Sequence, residues 1–201
     1  TIEELQKGEV VSGSRVRVQY GMVSAVSSDN GFWIQAGTGP YSGIRVAHFH
    51  GDLTIADSFW FKGVFGEATS PPVSYLSWNE TWEGPQDIMH IGVPDVTELS
   101  ESISDAKWEG VLVRITGPFT VTAPDLDVVP GATSYNFAPD VGEVVTTGTE
   151  IFDPLRNGPL QNFVIGARFD AVTGIVFIAD DGSVKLLPRG TDDFEGYQPA
   201  P

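Results

Sequence analysis

Along residues 15–20 apolar and polar side chains alternate strictly. Val16, Val18 and Tyr20 fall on one face, and Arg15, Arg17 and Gln19 on the other. A period of two is the signature of a half-buried β-strand. Gly21 interrupts the run, and beyond it Val23 and Ala25 alternate with Val26 out of phase. A glycine inside a strand marks a bulge or a sharp bend, so residues 15–26 are expected to form one long, bent strand that serves two sides of a barrel. Ahead of it, Thr1-Ile2-Glu3-Glu4 has the spacing of a capping box. Thr1 can cap a short helix and Glu4 can reach back to it, with the helix ending near Gly8.

The same reading continues down the chain. Asp29-Asn30-Gly31 is a hairpin turn signal that leads into a second strand, Phe32-Trp33-Ile34-Gln35. The turn Gly37-Thr38-Gly39-Pro40 precedes a third strand over 43–49, and a fourth covers 59–65. Pro71-Pro72 breaks the fourth strand, and 73–78 is expected as a fifth, on a sheet edge, because proline is confined to edges and strand ends. Residues 88–91 can add one more short strand, and a helical turn is expected within 93–106. The pattern then restarts. Residues 108–121 resemble the first strand, again with a glycine, Gly117, inside. Short strands are expected at 134–137 and 143–147, strong ones at 162–169 and 174–178, and Asp180-Asp181-Gly182 turns the chain into a last one at 183–188.

Many short strands punctuated by Gly and Pro imply an all-β sandwich or barrel. A similar strand order in the two halves suggests a duplication, and a long, glycine-bent lead strand selects the five-stranded oligonucleotide/oligosaccharide-binding barrel, the OB-fold. The expectation is therefore an all-β chain of two tandem OB-fold-like five-stranded barrels with short helical turns. Residues 1–104 make the first, with its N-terminal helical turn. Residues 105–201 make the second, with a loop-rich insertion over 124–160 and a C-terminal linker, Tyr197-Gln198-Pro199-Ala200-Pro201. Val16, Val18, Val23, Ile34, Val46, Phe61 and Val64 are expected in the first core. Val111, Val113, Ile115, Phe163, Ile165, Val176 and Leu186 are expected in the second.

Composition narrows the class of partner. In 201 residues, an apolar fraction of 41% is enough to fill a core, which argues against wholesale disorder. Net charge is −16, spread evenly: residues 1–104 hold 13 acidic and 5 basic side chains, and 105–201 hold 14 and 6. Such a field repels phosphate backbones and anionic lipid, so nucleic acid is disfavoured and a protein or glycan partner is favoured. There is no cysteine, which excludes disulfides and thiolate metal sites. No apolar run approaches the ~20 residues of a membrane-spanning helix. A start at Thr1 rather than Met is what a processed or trimmed chain would show.

Several phrases resemble a known family. TIEELQKG, GMVSAV, GFWIQ and GPYSGIRV in the first half, and KWEGVLVRITG and VKLLPRGTDDF in the second, are similar to tandem OB-fold-like modules of bacterial secreted and cell-envelope proteins, which are often found beside extracellular nuclease domains. The resemblance covers nearly the whole chain, and 124–160 fits it least. It implies a secreted, periplasmic or cell-surface setting and a non-catalytic binding or scaffolding role. It transfers no catalytic residues.

Three constellations can carry chemistry. His48-Phe49-His50-Gly51-Asp52 reads His-x-His-x-Asp, a pattern with which some metal hydrolases hold zinc. Residues i and i+2 of a strand share a face, so His48 and His50 can meet one metal, Asp52 can add a carboxylate, and His90 is the only other histidine. The hydrolase pattern continues with Asp-His, whereas Leu53-Thr54 follows here, and Gly51-Asp52 also serves as an ordinary turn. A zinc-dependent hydrolase is therefore an alternative reading. Trp33, Tyr41, Arg45 and Phe49 lie on the second and third strands and the turn between them, on a face that OB-folds use for stacking ligands. The same rings can simply fill a core. A nucleic-acid-binding accessory domain is the reading that this face offers beside a nuclease. Asp125/Asp127, Asp180/Asp181 and Asp192/Asp193 are acidic pairs suited to calcium, which needs six to eight oxygen ligands, or to plain turns. No cofactor is required by the lead reading, with calcium or zinc as the alternative.

One outcome follows from the core assignment alone. Val113→Asp places an unpaired carboxylate among apolar side chains and forfeits ~1.5–3 kcal/mol of burial besides. The second half is expected to unfold, read as loss of cooperative urea unfolding. A soluble, cooperatively folded variant would remove Val113 from the core.

Overall fold

In the computed structural model the described residues are 1–27, 31–47, 53–69, 72–78, 86–90, 92–100, 102–125, 134–139, 145–146, 163–179 and 181–201. They form one short helix, α1 (Ile2–Gln6), and thirteen strands. The first sheet contains β1 (Arg15–Val26), β2 (Phe32–Gln35), β3 (Gly43–Ala47), β4 (Asp57–Thr69), β5 (Pro72–Trp78) and β6 (Gln86–His90). The second contains β7 (Thr97–Leu99), β8 (Leu112–Asp125), β9 (Ser134–Pro139), β10 (Val145–Thr146), β11 (Arg168–Ile178), β12 (Val184–Leu187) and β13 (Phe194–Glu195). The all-β class is as expected.

The helix begins as its sequence requires. The Thr1 hydroxyl accepts from the Glu4 amide at 3.1 Å, and the Glu4 carboxylate pairs with the N-terminal ammonium. The Ile2 and Leu5 side chains are buried against the first sheet.

The two long, bent strands have the same job in each half. Residues Arg15 to Met22 of β1 pair with β4, and Met22 to Val26 pair with β2. The register with β4 shifts between Val18 and Gly21, where the bend was expected. In the second half, Leu112 to Thr120 of β8 pair with β11, and Phe119 to Asp125 pair with β9. The first sheet continues from β2 to β3, from β3 to β5 in parallel, and from β5 to β4. The second continues from β9 to β10 and from β11 to β12.

Several expectations need correcting. Strand β5 is not an edge: it lies between β3 and β4. Its proline is tolerated because Pro72 is the first residue of the strand. Residues 93–106 hold β7, parallel to β8, and the helical turn comes at Ala106–Trp108. Leu99 and Ile103 belong to the same apolar cluster as Val111 and Val113. Residues 162–169 and 174–178 are not two strands. β11 starts at Arg168 and runs unbroken to Ile178, while Gly166, at φ +92°, turns the chain just before it. That turn leaves Ile165 57% exposed, outside the core where it was expected. In β4, Val64 is only partly buried and Phe65 is the fully buried side chain. Within the segment Tyr197 to Pro201, Gln198 exchanges two backbone hydrogen bonds with Arg168, each 2.9 Å, and the Tyr197 ring lies 5.5 Å from that of Phe169. The Asp29-Asn30-Gly31 turn lies mostly outside the described residues.

Three apolar clusters hold the structure. One fills the first half around Val23, Ile34, Val46 and Phe65. A second fills the other half around Val111, Val113, Phe137 and Leu186. The third, made of Ala25, Trp33, Leu112, Ile175 and Leu187, lies on the seam between them. It explains why all four residues of β2 are buried. Phe32 and Ile34 face the first core, while Trp33 and Gln35 face the second half. At the seam two backbones nearly touch. A Cβ on Gly43 would overlap the Gly110 carbonyl and lie 2.8 Å from the Val111 nitrogen, and Gly110 itself sits at φ +75°, a conformation that favours glycine.

Gly43→Ala is therefore expected to cost about 1–3 kcal/mol by overpacking the seam, read as a lower urea midpoint. Gly21→Ala adds a Cβ 3.2 Å from the Ile34 Cδ1 and 3.3 Å from the Ile34 Cβ, tight contacts rather than overlaps, and should cost less. Equal effects at the two positions would contradict the close approach of the halves.

Candidate cleft at the seam between the halves

The turn between β2 and β3 is tied to the second half at three points. The Gly39 amide donates to the Thr97 hydroxyl at 2.9 Å, the Tyr41 amide donates to the Lys107 carbonyl at 2.8 Å, and Gly43 abuts Gly110. Gln35 fastens the same region from inside. Its amide nitrogen donates to the carbonyls of Gly37 (2.7 Å) and Asp95 (2.9 Å), and its oxygen accepts from the Leu112 amide at 2.7 Å. Gln6 of α1 reaches over with its amide nitrogen to the Gly43 carbonyl at 2.6 Å and the Glu109 carbonyl at 3.3 Å.

These ties frame an open cleft of about 550 Å³. α1 and the residues after it contribute Gln6, Lys7 and Gly8. Tyr41 comes from the β2–β3 turn, Glu67 from β4, and Val73 and Ser74 from β5. The second half contributes Asp105 to Lys107 and Glu109. Tyr41 holds φ +62°, a left-handed conformation that costs a non-glycine residue of order 1–3 kcal/mol. The bond from its amide to Lys107 is one contact that holds it there. The Lys7 ammonium lies 5.5 Å from the centre of its ring.

Glu109 is the unusual group. Its side chain lines the cleft although the residue is only 7% exposed. One marginal donor reaches it, the Ser74 amide at 3.5 Å. Burial pushes its carboxyl up to about 7, against the weaker opposing effects of the Ser74 hydrogen bond and the positive charge of Arg45. The neighbouring charges are largely engaged. Lys7 pairs with Glu3 at 2.5 Å and Lys107 with Asp105 at 3.3 Å. The Lys107 amide, hydrogen-bonded to Asp105, holds that carboxyl below its ordinary value.

Of the residues singled out in the sequence as ligand-binding, Trp33, Tyr41 and Arg45 are described. Trp33 is 1% exposed and meets Phe177 of the second half edge-on at 6.4 Å, so it is core and not a surface platform. It failed as a stacking candidate because the second half covers the outer face of β2. Arg45, on β3, is partly buried, with its guanidinium 5.6 Å from the Trp33 ring and its charge acting on Glu109. Tyr41 is the one described member of that set that lines the cleft. His48, Phe49, His50 and Asp52 lie outside the described residues. His90 is described: it sits at the end of β6, its Nδ1 3.3 Å from the buried Asp57 carboxylate. Among the described residues no three His, Asp or Glu side chains are grouped so as to hold a metal ion.

The acidic pairs have structural partners where they are described. The Asp181 carboxylate accepts from the Ser183 amide at 2.8 Å within a turn. Asp193 forms a buried pair with Arg189, accepting from Nε at 3.0 Å, from Nη2 at 2.7 Å and from the Arg189 amide at 2.6 Å. Asp192 precedes it in a short 3-10 turn. Asp125 ends β8, and Asp127 and Asp180 lie outside the described residues.

Glu109 went unnoticed in the sequence. Its signal was present all the same: a carboxylate between Trp108 and Gly110 at the head of the apolar run Val111-Leu112-Val113.

The raised titration of Glu109 fixes a sign. The unfolded glutamate loses its proton near 4.5 and the folded one near 7. Its contribution to stability is full below pH 4.5 and is lost as pH rises through 7, on the order of 3 kcal/mol in all. Glu109→Gln should therefore gain on the parent protein as pH rises from 4.5 to 8. Urea midpoints of the two proteins at both pH values check this, and parallel pH profiles would contradict it.

No family model, curated protein or solved structure matches the chain, so the functional reading rests on the geometry of the seam.

Proposed function

We propose that this protein is a non-catalytic binding or scaffolding module of two OB-fold-like barrels, and that its ligand, a glycan or a protein segment, sits in the cleft where the barrels join. In the first half the pairings run β1–β2–β3–β5–β4 and back to β1, with β3 and β5 parallel. That circuit supports an OB-like barrel. In the second half β8, β9, β10, β12 and β11 occupy the corresponding places, and β10 packs beside β12. A secreted or envelope setting remains part of the proposal, on the sequence resemblance. No helix among the described residues is long and apolar enough to cross a membrane.

The observation that carries the reading is Tyr41, held in a strained backbone conformation at a polar cleft. Strain of this kind concentrates at ligand sites. The cleft volume lies within the ~300–1,000 Å³ usual for small-ligand sites. An aromatic ring surrounded by carboxylate, hydroxyl and ammonium groups suits a sugar, whose ring faces are apolar and whose edges are polar. A net charge of −16 opposes a polyanion. Arg17, one of the few cations of the first half, already lies over the Trp60 ring at 4.2 Å.

The test is a glycan array followed by titration of the best ligand against the parent protein and Tyr41→Ala. The substitution is expected to weaken binding about tenfold, equal to about 1.4 kcal/mol. Binding that ignores Tyr41, or an array on which nothing binds, counts against the cleft as a glycan site.

A further inference from the structure

We infer that the cleft selects a glycan bearing a free amine, with the ammonium seated against the Glu109 carboxylate. The inference rests on the glycan reading of the same cleft and sharpens it.

The first argument is the unmet bonding of Glu109. An ionised carboxylate has about four acceptor positions. Here Oε2 receives one amide at 3.5 Å, and among the described residues Oε1 has no donor. The residue is more than nine-tenths buried, yet the side chain lines the cleft. Because the side chain opens on the cleft, its remaining donors come from solvent or from a ligand that enters, and an ammonium brings three with a compensating charge.

The second argument is charge. Around Glu109 stand Arg45 on β3, Glu67 on β4, and Asp105 and Lys107 on the turn before β8, with Lys7 following α1. Lys7 and Lys107 are paired with Glu3 and Asp105, each in its own segment. Arg45 acts on Glu109 through space from beside Trp33. Glu67 adds a further carboxylate, so the three cations Lys7, Arg45 and Lys107 are matched by Glu67, Asp105 and Glu109, and the charge of −16 on the whole chain sets the sign of the surrounding field. A cation is drawn in and an anion is not.

The third argument separates an amino sugar from a lysine side chain. A lysine needs an apolar slot for its four methylenes, since that stem buries along apolar surface. The rim here is Gln6, Glu67, Ser74, Asp105 and Lys107, with Val73 its one large aliphatic member. Such a rim suits hydroxyls, and the Tyr41 ring offers a face for one pyranose.

The test is calorimetric titration at pH 6.5 with two probes, a fully deacetylated β-1,4-glucosamine tetramer and its N-acetylated counterpart. The parent protein is expected to prefer the free-amine tetramer at least tenfold. In Glu109→Gln that ratio should fall to about one. The comparison within the parent decides the question even if the variant folds poorly. Equal affinity for the two tetramers, or binding of other glycans but not the free-amine tetramer, overturns the inference and leaves the glycan reading standing. No glycan binding at all removes both. Displacement of the bound tetramer by a short lysine peptide at equal or lower concentration overturns the amino-sugar assignment in favour of a protein ligand.

Discussion

The structure depends on one constraint: the two halves touch backbone to backbone. Gly43 and Gly110 leave no room for a side chain between β3 and the entry to β8. At that separation, polar groups on both sides are shut off from water and must find partners. Gln35 supplies them, bonding Asp95 and Leu112 across the seam. Leaving a buried amide or carbonyl unmet costs about 1–3 kcal/mol, so the Gln35 side chain and the close approach sustain each other. The apolar cluster of Trp33, Leu112, Ile175 and Leu187 then seals the rest. Neither half can tilt far without exposing this cluster and breaking the Gln35 bonds.

The cleft inherits its properties from that rigidity. Tyr41 is positioned by a bond to the opposite half, and Glu109 is desolvated because the seam closes over it. Burial is the largest cause of the raised Glu109 titration, and Ser74 of the opposite half reaches its carboxylate. The candidate site is thus a product of the joint. The same joint covers Trp33 on the outer face of β2, which packs against Phe177 and Ile175 of the second half.

What was legible in the sequence was local. Alternation and an inserted glycine located β1 and β8, and Thr1 with Glu4 located α1, because these signals act over a few residues. The errors came from contacts between distant residues. Placing 73–78 on an edge followed from the prolines, but the parallel pairing of β3 with β5 bridges thirty residues in which no local pattern announces it. The apolar triplet Phe163-Val164-Ile165 looks like a strand, yet only Phe163 joins the core, because the chain turns at Gly166. Trp33 was correctly placed on a strand and wrongly offered to solvent, since its cover arrives from residues 175–187. Glu109 drew no notice for the same reason. The one donor to its carboxylate among the described residues, the Ser74 amide, lies thirty-five residues earlier, in the other half.

The acidic composition acquires a more specific sense once the cleft is known. A charge of −16 spread evenly would by itself attract any cation weakly and without preference. Surface carboxylates are screened by water and salt and add little selectivity. A buried carboxylate differs, because its interaction with a seated charge is only weakly screened. Under the proposal made above, the surface field concentrates cationic ligands and Glu109 discriminates among them by contact. Long-range attraction and short-range choice reside in different carboxylates, and only the second kind needs the two halves to be held together.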